Sequence, residues 1–249
     1  MAPRWLAALM LTVLGCGRQP PAPILGFDER HATPPARDTA APRPAFDRPA
    51  MVAFHMRRHF DDLRAIESMV LAGKLRDARA LAFLLTRPPP DPAFTAWTAE
   101  TARVADAAIA LSDARSLGEA CRRIPRVWVA CAECHQRAQA VAVFGPPPPL
   151  PPSRATPEAL LARHHWAVDR LWEAMVGGSA EAWRGALEIL ADTPPPSTAR
   201  PDGDHLARQL RERARAQLAS PLATSLDQRA VAYGELLVTC AACHATASR

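Results

Sequence analysis

Residues 116–138 read SLGEACRRIPRVWVACAECHQRA, and residues 225–247 read SLDQRAVAYGELLVTCAACHATA. Each stretch begins with a serine that is followed three residues later by Glu119 or Gln228, the pattern of a capping box at a helix N-terminus. Each then carries two cysteines separated by two residues and followed at once by a histidine. The two stretches therefore predict equivalent helices that place the same three side chains near their C-terminal ends.

The similarity between the two stretches extends upstream along the chain. Residues 57–90 align with residues 163–196 without a gap, and a short insertion then precedes the second of the two helices. Identical residues recur at matched positions, among them Arg57 and Arg163, His59 and His165, Arg64 and Arg170, and Glu67 and Glu173. The chain therefore contains a duplicated unit, and each copy ends on a CxxCH motif.

The composition favours helices over strands. Alanine, leucine and arginine are abundant, β-branched residues are sparse, and the 249 residues include a single tyrosine. Periodicity, capping residues and prolines predict four helices per copy, at 50–72, 75–86, 93–111 and from Ser116, and at 158–176, 180–191, 205–219 and from Ser225. Four antiparallel helices with short connections form an up-and-down bundle. We therefore expect an all-α protein with two tandem four-helix bundles, over residues 49–144 and 157–249.

The first residues, MAPRWLAALMLTVLGCG, have the pattern of an export signal. Arg4 is followed by an apolar run that is too short to span a bilayer as a stable helix. The sequence VLGC resembles a bacterial lipobox, which predicts cleavage of residues 1–15 and acylation of Cys16. The alternative is an ordinary signal peptide that contains a cysteine.

Two segments rich in proline separate these units. Residues 16–48 lack a sustained apolar period and predict a disordered tether that follows the lipidated cysteine. Residues 145–156 predict a linker in polyproline conformation, which at roughly 3 Å per residue could hold the two domains a few nanometres apart. The formal charge is +5, but no run of lysine or arginine indicates a nucleic-acid partner.

The CxxCH motif is typical of covalent haem attachment. Its two thiols can add to the two vinyl groups of a porphyrin, and the histidine then reaches the iron. We expect Cys131 and Cys134 to hold one haem c and Cys240 and Cys243 a second, with His135 and His244 as proximal ligands. A zinc ribbon would need both cysteine pairs in one small domain, a thioredoxin-like redox pair needs a βαβ context, and a disulfide leaves the repeated histidine unexplained.

The opposite face of each iron needs a separate assignment. His59 and His165 match in register on the first helix of each copy, and each falls on a predicted buried stripe. An antiparallel first helix brings its N-terminal half beside the C-terminal half of the fourth, so we predict His59 and His165 as distal iron ligands. The alternatives are core histidines bonded to backbone, or ligation by Met56, Met69 or Met175.

Other polar residues receive weaker assignments. Arg57 and Arg163 either contact haem propionates or remain solvated. Cys121 is expected to be a small buried thiol because alanine occupies the matched position 230. Three histidines without a matched partner are expected at the surface: His55, His164 and His205.

A four-helix unit with CxxCH near the end of its last helix resembles the class II c-type cytochromes, the cytochrome c′ and cytochrome c-556 group. The resemblance covers residues 50–140 and 157–249. It implies a four-helix haem fold with Cys131, Cys134, Cys240 and Cys243 as thioether residues and His135 and His244 as proximal ligands. In cytochrome c′ the distal face is capped by an apolar residue, and in cytochrome c-556 a methionine ligates there, so His59 and His165 depart from both patterns.

These observations together predict a periplasmic dihaem c-type cytochrome, anchored to the outer membrane as a lipoprotein. Its expected role is one-electron transfer with periplasmic redox partner proteins, as an electron carrier and not an enzyme. The alternatives are a haem-based sensor that binds NO or CO, or an electron-transfer subunit of a larger oxidoreductase.

Overall fold

The computed structural model describes residues 49–87, 92–138, 147–153, 155–193, 201–220 and 225–247. The predicted signal peptide, the tether and Cys16 lie outside these residues. Within them the regular secondary structure is entirely helical, which confirms the all-α class. The helices are α1 (Pro49–Leu71), α2 (Leu75–Leu84), a 3-10 helix (Pro92–Trp97), α3 (Thr98–Ser112), α4 (Leu117–Ala138), α5 (Pro157–Gly177), α6 (Ala180–Asp192), α7 (Pro201–Ala219) and α8 (Leu226–Ala247).

The predicted capping residues set the starts of three helices. The Glu119 amide donates to Oγ of Ser116 at 3.1 Å. In the second copy Ser225 and Gln228 exchange two hydrogen bonds of 3.3 Å, which complete the capping box. Thr156 accepts from the backbone N–H of Ala159 at 3.3 Å ahead of α5. Local sequence therefore determines where these helices begin.

Two predicted helices differ from the observed ones at their N-terminal ends. The expected helix at 93–111 is divided into the 3-10 helix and α3, and Phe94 and Trp97 are buried in the 3-10 segment. In the second copy α7 begins at Pro201 and not at residue 205. A proline suits the first turn of a helix, and Asp202 and Asp204 in that turn complement the positive end of its dipole.

Successive helices within each copy pack against one another, and the two copies also pack together through α4 and α8. These two helices run antiparallel, because Arg122 pairs with Glu235 at 2.7 Å and Arg126 pairs with Asp227. They approach closely at Gly234, where an added Cβ would lie 3.0 Å from Cα of Arg122. The absence of a side chain at this glycine therefore permits the close contact between the copies.

The first helix of each copy packs on the last helix of the other as well as on its own. α5 runs parallel to α4, because Trp172 stacks with Trp128 at 6.0 Å between ring centroids while Gly178 lies beside Gln136. α1 contacts α8 through a 2.9 Å hydrogen bond from Oη of Tyr233 to Glu67. The buried apolar residues of both copies consequently form one continuous core.

The proline-rich linker does not hold the two copies apart as expected. Its described part lies along the surface of α5, where Arg163 donates to the Pro151 carbonyl at 2.8 Å and Trp166 donates to the Pro148 carbonyl at 2.9 Å. The apolar faces of α4 and α8 bury each other, and this burial brings the two copies together. Among the described helices, none is long and apolar enough to cross a membrane.

Candidate functional site

The first CxxCH motif occupies the last two turns of α4. Cys131 and Cys134 are half-buried free thiols one turn apart, so both lie on the same side of the helix. Burial, assisted by Cys134, raises the pKa of the Cys131 thiol to about 12. Burial also raises the pKa of Cys134, with Glu100 adding to the effect. Both sulfurs are therefore protonated at neutral pH, unlike the thiolates of redox-active cysteines.

His135 follows these cysteines and lies half-buried against the C-terminal end of α5. Burial lowers the pKa of its imidazole, while a hydrogen bond with the backbone of Val176 raises it in part. The imidazole is consequently neutral at pH 7, which is the form that ligates iron. Because Val176 belongs to the second copy, the surroundings of the first motif are built from both copies.

α1 places its N-terminal half at the same end of the molecule as the first motif. Phe60 contacts Trp128, one turn before Cys131, at 5.8 Å between ring centroids. Its neighbour His59 is half-buried, and burial, followed by His55 and Arg58, lowers the pKa of His59 to about 4. His59 is thus a neutral imidazole on the helix that was predicted to supply the distal ligand.

The second motif lies on α8 and is less uniformly buried. Cys240 is 8% exposed, and burial, followed by the nearby Glu67, raises the pKa of its thiol to about 12. Cys243 is half-buried, and burial and then Asp204 raise its pKa. His244 lies at the surface, although partial burial and the neighbouring His165 lower the pKa of its imidazole.

The N-terminal half of α5 faces this second motif with two histidines. His165 is exposed and His164 is half-buried, with 6.1 Å between their ring centroids. Burial, then His165 and His244, lower the pKa of His164 to about 4. The structure therefore brings His165 near His244, as the distal assignment requires, and it brings His164 there as well.

Three of the sequence-based placements on the first helices are corrected. His164 is not a surface residue, and neither is His55, whose ring lies 4.5 Å from that of Phe94. Conversely, His165, which was expected on a buried stripe, is exposed. The reason is that α5 buries a face through Ala167, which packs toward α4 of the first copy as well as toward its own copy.

The two arginines proposed for propionate binding occupy different surroundings. Arg57 is exposed near the N-terminal end of α1. Arg163 instead directs Nη1 to the Pro151 carbonyl and Nε to Oγ1 of Thr193, at 2.8 and 3.1 Å. Arg163 thus has a structural role that ties the linker to α5 and to the end of α6.

A cluster of aromatic rings lies beside the first motif and was not expected from the sequence. Phe60, Trp128 and Trp172 contact one another, and the Arg64 guanidinium lies 4.3 Å from the Trp172 ring centroid. Comparison of the two copies conceals this cluster, because leucine and isoleucine occupy the positions that match Trp128 and Trp172. The tryptophan residues themselves, each on a predicted helix, were the available signal.

Cys121 and Glu67 belong to the boundary between the copies. Cys121 is fully buried, as predicted, and burial followed by Glu67 raises the pKa of its thiol to about 12. Glu67, which is 6% exposed, bonds Tyr233 from the other copy. The recurrence of glutamate at position 173 was visible in the sequence, but the partner of Glu67 was not.

The donor set fits covalent haem attachment better than a zinc site. Each half of the molecule presents two protonated thiols and a neutral imidazole from consecutive turns of a helix. The antiparallel packing of α4 and α8 keeps the two cysteine pairs apart, whereas a four-cysteine zinc site must bring them together. In the described part of the chain, no group of three or more His, Cys, Asp or Glu is arranged to hold a metal ion. Comparison with protein-family models, curated proteins and solved structures finds no match to this chain.

Proposed function

We propose that this protein is a dihaem c-type cytochrome that carries out one-electron transfer in the periplasm. The observation that supports the proposal most directly is the placement of both CxxCH motifs at the C-terminal ends of equivalent helices. In each motif the cysteines share one helix face and the histidine is kept neutral. Each duplicated unit then serves as one haem-binding four-helix unit of a tandem pair.

Each set of side chains has a defined part in this proposal. Cys131 and Cys134 would form thioether bonds to one haem, as would Cys240 and Cys243 to the other. His135 and His244 supply the proximal imidazoles. A bound haem would provide an iron that changes between ferric and ferrous states by one electron.

The distal imidazoles are proposed to come from His59 and His165. Both are on the first helix of their copy at matched positions. His165 lies near His244, and Phe60, which follows His59, contacts Trp128 one turn before Cys131. Because helices would hold these imidazoles in place, the iron ligands would move little when the iron changes between its ferric and ferrous states. Such a site suits electron transfer better than ligand binding.

The location follows from the first residues of the chain. Haem c is attached outside the bacterial cytoplasm, and the lipobox-like sequence before Cys16 would anchor the protein to the outer membrane. The proposed partners are soluble or membrane-bound redox proteins of the periplasm. We propose an electron carrier and not an enzyme.

Intact mass spectrometry of protein produced in a host that matures haem c tests the proposal. The mass should exceed that of the processed chain by two haems, and acid–acetone treatment should not extract them. A Cys131→Ser/Cys134→Ser variant should lose one haem and keep the other. Haem that is extractable, or a chain without haem, would refute the assignment.

An optical spectrum of the same sample then separates the two haem-based functions. Six-coordinate low-spin iron supports electron transfer, because two imidazoles form a strong ligand field. Five-coordinate high-spin iron that binds CO readily at both sites would instead support the gas-binding alternative.

A further inference from the structure

The two CxxCH motifs lie at opposite ends of the folded chain. Cα of Arg122 on α4 lies level with Gly234 on α8, and the helices run antiparallel from this point. Cys134 follows 12 residues beyond Arg122, and Cys243 follows 9 residues beyond Gly234 in the opposite direction. At about 1.5 Å per residue, the two motifs are separated by roughly 30 Å along the helices.

α5 gives independent evidence for this separation. Its C-terminal end contacts the first motif through Val176 and His135, whereas its N-terminal half lies near the second motif through His165 and His244. Eleven residues separate His165 from Val176, so their Cα atoms lie about 16 Å apart. The groups concerned are farther apart than this, because helix side chains lean toward the N-terminus and carbonyls point toward the C-terminus.

The residues that surround each motif also come from different ends of the helices. Near Cys134 they include Glu100, which pairs with Arg137 at 3.0 Å and lies in the first turn of α3. Near Cys243 they include Asp204 in the first turn of α7. The first turn of α3 therefore lies beside the first motif, and the first turn of α7 lies beside the second.

On the basis of the proposed haem attachment, we propose that the two haem sites open at opposite ends of the molecule and exchange electrons with separate partners, and not directly with each other. Electron tunnelling weakens exponentially with distance, so the separation between the motifs favours exchange with a docked partner over exchange across the chain. The protein would then act as two one-electron carriers in a single fold. One end would be built from α1, α3, α4 and the end of α5, and the other from the start of α5, α7 and α8.

The arrangement is tested by a distance measurement on the haem-loaded protein. A nitroxide can be attached through a ketone-bearing unnatural amino acid at the exposed positions Gln136 and Asp202, which adds no thiol; Asp202 lies in the first turn of α7 beside the second motif. Pulsed dipolar spectroscopy should give a distance of roughly 30–40 Å for this pair. A matched pair at Gln136 and Ala180, which lie at the same end, should give less than roughly 20 Å. A Gln136–Asp202 distance as short as that of the matched pair would overturn the inference.

The electron exchange is tested by NMR of the partly reduced protein. The haem methyl resonances distinguish chains with an electron on the first haem from chains with an electron on the second. Exchange between these two forms should become faster in proportion to protein concentration, because it takes place between molecules. A fast exchange rate that does not change on dilution would overturn the inference. If mass spectrometry finds no haem, the proposed function fails and this inference fails with it; with two haems attached, a short distance or concentration-independent exchange refutes this inference alone.

Discussion

Replacing Glu67 with glutamine tests how the two copies pack against each other. The Glu67 side chain is 6% exposed where α1 meets α8, and its Oε1 accepts a 2.9 Å hydrogen bond from Tyr233. Burial raises the pKa of this carboxyl from 4.5 to about 7, although the Tyr233 hydrogen bond lowers it in part. The folded protein therefore holds a proton on Glu67 at pH 5 and loses it by pH 8.

The magnitude follows from the difference between the folded and unfolded pKa values. Between pH 4.5 and 7 the folded chain binds more protons at Glu67 than the unfolded chain, so stability falls as pH rises. This contribution is fully present below pH 4.5 and is lost by the time the pH has passed about 7. The shift corresponds to about 3 kcal/mol, most of which falls between pH 5 and 8. Glutamine keeps a carbonyl oxygen for Tyr233 but has no charge to bury, so the variant lacks this dependence.

The assay is urea unfolding of both proteins at a series of pH values, followed by circular dichroism. The free energy of unfolding of the wild type should fall by about 2–3 kcal/mol relative to Glu67→Gln between pH 5 and 8. Comparison at each pH cancels contributions that both proteins share, such as those of His59 and Glu173. The exposed Glu188 provides the matched control, since Glu188→Gln should show a pH profile parallel to the wild type. Parallel profiles for Glu67→Gln as well would show that Glu67 is not buried in the folded protein.

Three further predictions concern the iron ligands, the helix contact and the anchor. Under the proposed function, His59→Ala should convert one haem to a high-spin form that binds CO when reduced. His165→Ala should do the same to the other haem. An unchanged optical spectrum in both variants would show that the distal ligands are elsewhere. Gly234→Ala should destabilise the protein by about 1–3 kcal/mol, because its new methyl group meets the α4 backbone. Gly185→Ala lies in open space within α6 and should stabilise the protein by up to about 1 kcal/mol. Chemical denaturation that ranks the two variants in the opposite order would contradict the described contact. Cys16→Ser should block lipid attachment, and a processed, unlipidated variant that still fractionates with membranes would disprove the anchor.

The sequence predicts individual helices well because their ends depend on local residues. The serines before α4 and α8, the threonine before α5 and the glycine after it act within one turn of the backbone. The helix against which each one packs cannot be predicted in the same way, because apolar periodicity shows that a face is buried but not which helix covers it. The buried faces of α4 and α8 are made largely of alanine and other apolar residues, so the sequence alone does not reveal that they cover each other. The expectation of two bundles held apart by the linker failed for this reason.

The same distinction between local sequence and contacts between copies applies to the candidate sites. The two cysteines and the histidine of each motif could be recognised from sequence because their spacing lies within one helix, and their role in haem binding stays a prediction. The surroundings depend on contacts between copies, such as Val176 with His135 or Trp172 with Trp128, and no motif encodes these. The exposure of His165 was likewise missed, since α5 turns its buried face partly toward the first copy.

The two copies keep the same CxxCH residues, whereas the surroundings of the two motifs differ. The first motif lies beside the Phe60–Trp128–Trp172 cluster, with the Arg64 guanidinium over one ring, whereas the second has an exposed proximal histidine, His244. Because His135 is more buried than His244, the extra positive charge of ferric iron would be less well solvated at the first site, so the proposed first haem should be the easier one to reduce. Because the two motifs also lie at opposite ends, such a difference in potential would not drive electrons through the chain. It would instead suit the two ends to partners of different potential, which two identical sites could not do.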